Sequence, residues 1–71
     1  MVLEDVKCGR KVRFLGVGMD RELRTRLASM GLFPGTVVEV LQVTSGGAVV
    51  LGVQGSRISV GESIAKQMVV A

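Results

Sequence analysis

The chain has no histidine, tryptophan or tyrosine, and only one cysteine, one proline and two phenylalanines in 71 residues. The missing histidine removes the commonest general base near neutral pH and the commonest transition-metal ligand. Cys8 stands alone, so it forms no internal disulfide and no Cys-x-x-Cys zinc motif. With no histidine to activate it as a nucleophile, Cys8 reads as a small, half-buried apolar residue. The shortage of aromatic side chains argues against two binding modes. Single-stranded nucleic acids need stacking platforms and proline-rich peptides need aromatic-lined grooves, whereas this chain offers only Phe14 and Phe33. No apolar run approaches the roughly 18 residues that span a bilayer; the longest, Ala48 to Val53, is interrupted by Gly52. The opening Met1-Val2-Leu3-Glu4-Asp5 turns acidic at once and lacks the basic-then-apolar plan of a signal peptide. Together with a single unpaired thiol, these features predict a soluble, cytoplasmic protein.

What the chain has in quantity is apolar surface. Apolar residues make up 48% of it, and its mean hydropathy is +0.50. One domain covers residues 1–71, and a chain this short buries only about 60% of the surface its unfolded form exposes. Some apolar area therefore stays outside, where it marks contacts with a partner. Nine basic residues against six acidic leave a net charge of +3. The excess is mild and not gathered into a tail, so it is compatible with nucleic acid, an acidic protein surface or a membrane-proximal site.

Ten glycines cut the chain into short pieces, and the valine- and isoleucine-rich runs between them favour strands. Lys11 to Leu15 reads as a first strand with Val12 and Phe14 on one face, broken by Gly16 and Gly18. Asp20 to Met30 is the one helix. Asp20 is an N-cap, Glu22 and Arg26 form an i, i+4 pair, and Leu23, Leu27 and Met30 share a face. Gly31 suits the left-handed C′ position, which turns Leu32 back onto Leu27. Phe33-Pro34-Gly35-Thr36 matches a type II turn that launches a strand from Thr36 to Val43. Ser45-Gly46-Gly47 is a hairpin loop, Ala48 to Val53 the return strand, and Gln54-Gly55 a second tight turn into Arg57 to Val60. A helical turn near 61–66 and a last strand from Gln67 to Val70 complete the reading. The runs Val37–Val43 and Val49–Val53 are apolar on both faces, as in a small barrel or in strands that meet a partner. The pattern is mainly β: a small, partly open barrel of about five strands with one inserted helix at 20–30.

No catalytic or metal constellation emerges. Glu4 with Asp5 and Asp20 with Glu22 match no calcium loop, and the second pair has ordinary work at a helix start. Gly16-Val17-Gly18 runs into Met19-Asp20, and a carboxylate there opposes phosphate binding. Arg21, Arg24 and Arg26, with Arg10, Lys11 and Arg13 upstream, form either a solvated face or an electrostatic docking face.

The run Arg24-x-Arg26-Leu27-Ala28-Ser29-Met30-Gly31-Leu32-x-Pro34-Gly35-Thr36-x-Val38-Glu39-Val40 resembles the signature of the FeoA family. So do Leu3-x-x-Val6-x-x-Gly9, Val53-x-Gly55-x-Arg57-Ile58-Ser59-Val60 and Glu62-x-x-Ala65, and the resemblance covers essentially the whole chain. It implies a Src-homology-3-like barrel with an inserted helix. It also implies a cytosolic accessory of bacterial ferrous-iron uptake, acting on the FeoB-type membrane transporter that carries a GTP-hydrolysing domain. The family is associated with transition-metal binding, but it brings no known catalytic residues and no cofactor, so the expectation is a binding protein and not an enzyme. The residues singled out for partner contact are Leu32 and Phe33, apolar and in a connecting loop, rimmed by Arg21, Arg24 and Arg57. Two other readings stay open: a nucleic-acid-binding barrel, and a stand-alone relative of the barrel that ends some metal-dependent repressors. Valine-rich strands with open edges also allow self-association as a homo-oligomer.

Overall fold

The computed structural model describes residues 1–18 and 20–71. In chain order it has a 3-10 turn (Leu3–Asp5), β1 (Lys11–Val17), α1 (Arg21–Ser29), β2 (Val37–Val43), β3 (Val49–Val53), β4 (Ser56–Val60), α2 (Glu62–Ala65) and β5 (Met68–Val70). The strands form one antiparallel sheet in the order β4-β3-β2-β1-β5. The sheet curls without closing, so β4 and β5 are its edges. This is the mainly β, partly open five-stranded barrel expected from the sequence.

Alternation builds the core. Val12 and Phe14 of β1, Val38 and Val40 of β2, Val49, Leu51 and Val53 of β3, and Met68 and Val70 of β5 all point inward. Leu23 and Leu27 of α1 cover one end of this layer, and Leu3, Val6 and Ala65 close the rest. No polar or charged side chain is buried among the described residues.

Two bulges modify the strand reading. β1 does not stop at Leu15. The register shifts between Phe14 and Gly16, and the extra residue lets Val17, not Gly16, point inward. A second shift lies between Val40 and Gln42. Bulges bend strands, and a five-stranded sheet needs such bends to curl over a core this small.

The helix caps follow the sequence. Asp20 Oδ1 accepts from the Leu23 N–H at 3.1 Å. Gly31 takes φ +89. The Leu32 N–H reaches the Leu27 carbonyl at 2.9 Å and the Gly31 N–H reaches that of Ala28 at 3.0 Å, the pair of bonds that defines a Schellman end. Met30 departs from expectation. As the C-cap residue it has left helical geometry (φ −96, ψ 6), so its side chain swings off the Leu23/Leu27 face and is 40% exposed. The Glu22–Arg26 pair does not form within ion-pair distance; among the described residues the ion pair is Lys66–Glu62 at 3.6 Å. Cys8 is exposed, not half-buried, and its thiol donates to the Leu41 carbonyl at 3.0 Å, beside the β2 bulge.

Candidate partner-docking site

The site grows out of the segment that joins α1 to β2. The Schellman end sends Leu32 inward, and the next residue must then point outward. Leu32 is 1% exposed and Phe33 55%. The turn that follows is held firmly. The Thr36 N–H donates to the Phe33 carbonyl at 3.0 Å, and Gly35 has φ +98, as the third position of a type II turn requires. Gly35 and Thr36 also bond the backbone of Phe14, and Arg13 Nη1 donates to the Gly35 carbonyl at 3.0 Å. The exposed ring therefore rides on a turn stitched to β1.

Beside it lies an apolar hollow of about 190 Å³. The buried side chains of Phe14, Val17, Leu27 and Leu32 form its floor, and Ala28, Phe33 and Pro34 flank it. Gly16 and Ala28 supply the room, since neither carries a side chain large enough to fill it. Arg24 is the one charged residue that borders it. Small-molecule sites run to roughly 300–1,000 Å³, so this volume suits a single large apolar side chain better than a whole ligand. The hollow can take an apolar group from a partner while Arg24 meets a polar or acidic neighbour of that group.

The structure sorts the five contact candidates. Phe33 and Arg24 stand together at the hollow. Leu32 is corrected from an exposed contact to part of the floor, because the helix end directs it into the core. Arg21 is exposed on the first turn of α1 but does not border the hollow. Arg57 is corrected too. It pairs with Gly52 on the edge strand β4, and it borders a separate groove of about 390 Å³ with Lys11 and Glu39. Arg57 is not among the residues that line the hollow on β1 and α1, and two strands, β3 and β2, lie between β4 and β1 in the sheet. Sequence reasoning missed Met30 as exposed apolar surface and Arg13 as the residue that holds the turn. The Met30 signal was present: a helix ending at Gly31 puts the preceding residue in the cap, outside regular geometry.

Among the described residues, no three of His, Cys, Asp and Glu converge as a metal site, and no helix is long and apolar enough to cross a membrane.

A model of the FeoA domain matches residues 1–71, while no curated protein matches the chain. Among solved structures, a crystal structure of an iron uptake regulatory protein (FeoA) shares 28% identity with a TM-score of 0.88, covering 99% of this chain and 93% of that one. A FeoA-like protein from Clostridium acetobutylicum shares 25% identity with a TM-score of 0.86, covering 100% of this chain and 84% of that one. A manganese-dependent transcriptional repressor superposes with a TM-score of 0.86 over 96% of this chain. This chain spans 39% of the repressor's length at 16% identity, so that likeness concerns the fold alone. The shared fold is the Src-homology-3-like barrel.

Proposed function

The chain belongs to the FeoA domain family, and from that premise we propose that it is an accessory, regulatory protein of bacterial ferrous-iron uptake. It acts by protein–protein contact with the cytosolic side of a FeoB-type, GTP-hydrolysing membrane transporter, and it catalyses no reaction of its own. The observation that carries the contact is the pairing of a half-exposed phenylalanine with an apolar hollow and one arginine. Large exposed apolar groups beside a preformed socket, with Arg at the rim, are the composition of an interface centre. The turn that carries Phe33 is bonded to β1, so little ordering is needed when a partner docks. Arg21 lies on the same helix as Arg24 and supplies longer-range attraction to an acidic partner surface.

The test is retention of the transporter's cytosolic domain, and of the full-length transporter, on the purified protein in moderate salt. Retention that is lost in Phe33→Asp and weakened in Arg24→Glu supports the reading. Equal retention by wild type and Phe33→Asp removes the hollow as the contact, and no retention of either form removes the partner. Leu32→Asp is not a usable probe, since a carboxylate at a position 1% exposed would unfold the chain.

A further inference from the structure

The two edges of the sheet are treated differently by the fold. The β5 edge is covered: Val2 bridges Val69, and the Val70 N–H donates to the Met1 carbonyl at 2.8 Å. The β4 edge has no such cover among the described residues, and none of the turn and loop hydrogen bonds involves Ser56 to Val60. Open edges are ordinarily blunted by proline, a bulge, an inward-pointing charge or several charged side chains along the strand. β4 has no proline, bulge or inward charge, and only one charged side chain. Its register against β3 runs unbroken through five pairs, from Val49–Val60 to Val53–Ser56, while the bulges sit in the interior strands β1 and β2. Its single charge, Arg57, pairs with Gly52 on the outer face.

The hairpin turn specifies which backbone groups are free. Gln54 (φ 48) and Gly55 (φ 85) form a two-residue turn of type I′. Such a turn makes its flanking residues, Val53 and Ser56, a hydrogen-bonded pair, and pairs alternate from there. Ser56, Ile58 and Val60 therefore bond to β3, and Arg57 and Ser59 direct their N–H and C=O groups outward. Two residues with four free groups centred on Ile58 are a self-complementary pattern.

We propose that β4 pairs antiparallel with β4 of a second copy of this chain, about a two-fold axis at Ile58, to make one continuous sheet across a homodimer. In this register Arg57 of each copy exchanges both backbone hydrogen bonds with Ser59 of the other, which satisfies all four free groups on each side. Ile58, only half-buried in the single chain although packed against the core, meets its own counterpart across a close, non-hydrogen-bonded pair. Arg57 faces a serine hydroxyl and not a second arginine, so no like charges stand directly opposite. Two strands, β3 and β2, lie between β4 and β1 in the sheet, and no β4 residue lines the Phe33 hollow, so the dimer stands independently of the transporter reading.

Sedimentation equilibrium across a concentration series tests this, with Ser59→Pro and Ser59→Glu beside the wild type. Proline at Ser59 removes an outward N–H that β3 does not use, so the dimer should weaken about tenfold or more while the fold persists. Glutamate at Ser59 should tighten the dimer several-fold at low salt, because each new carboxylate faces Arg57 of the other copy. Should Ser59→Pro fail to fold, amide exchange of the wild type decides: protection of the Arg57 and Ser59 amides must rise with concentration. A wild type that stays monomeric at every concentration overturns the proposal. So does a dimer indifferent to both Ser59 substitutions, or exchange at Arg57 and Ser59 that ignores concentration.

Discussion

Truncating Leu32 and truncating its neighbour Phe33 should have opposite consequences, although the two residues are adjacent and similarly apolar. Leu32→Ala removes a side chain that is 1% exposed and packed in the main core. Buried Leu→Ala changes cost about 2–5 kcal/mol, more where the void cannot relax. Here the void would open into the 190 Å³ hollow that Leu32 floors, so water can enter, and the loss should fall at about 2–3 kcal/mol. A domain of this size has a total stability of only about 4–11 kcal/mol. The loss should therefore lower Tm by roughly 10–20 °C. Phe33→Ala removes a ring that is already mostly in water, and should cost less than about 1 kcal/mol. Urea unfolding read by far-ultraviolet circular dichroism measures both, with equal m-values as the check that the unfolded states are comparable. Partner retention is then measured at a temperature where both variants are folded. The expected pattern is a large stability loss for Leu32→Ala, with binding weakened by the reshaped floor but still measurable, and little stability loss with binding gone for Phe33→Ala. Equal unfolding costs for the two would refute the account of how the helix end sorts them.

Gly31→Ala should destabilise by about 1 kcal/mol through the left-handed backbone alone, since no atom crowds the new methyl, and Gly31→Asn should cost visibly less in the same urea titration. Gly47→Ala should be worse than Gly31→Ala, because it adds a collision with the Glu62 side chain to a φ of +87, and a Gly47→Ala/Glu62→Ala double variant should recover part of the difference. Asp20→Ala should cost about 1 kcal/mol by freeing the Leu23 N–H at the start of α1, visible as a lower Tm. Lys66→Ala should change stability by no more than about 0.5 kcal/mol, because the Lys66–Glu62 pair is half exposed on both sides.

The readable parts of the fold were those in which local chemistry leaves one solution. Asp20 followed by an apolar stripe, then Gly31 before Leu32, specifies both ends of a helix without tertiary help. Pro34-Gly35 names its turn because proline presets the second position and glycine accepts the positive φ of the third, while at Gln54-Gly55 only the glycine carries that signal, since Gln54 adopts φ 48 against its residue type. The bulges were not readable. Whether Gly16 ends β1 or bulges within it depends on pairing with β5, more than fifty residues later in the chain. The 3-10 turn at Leu3–Asp5 was missed because its two local bonds, Asp5 N–H to Val2 and Val6 N–H to Leu3, leave no sequence signature and the turn packs on α2 and β5. At the docking site, Phe33 was legible as an exposed apolar residue, but Leu32 was misplaced. Its role at the helix end was recognised, yet the consequence that it must be buried was not carried to the contact list. Arg57 was grouped with Arg24 on charge alone, and only the folded structure shows that they border different hollows.

The central claim is that this chain docks on a FeoB-type transporter through Phe33 and the hollow beside it. Its most direct test is the affinity of wild type and Phe33→Asp for the full-length transporter, measured side by side by titration calorimetry in detergent. A saturable complex with the wild type and none with Phe33→Asp, at unchanged unfolding midpoint, is the predicted result. Identical binding by the two proteins, or none by either, would contradict it.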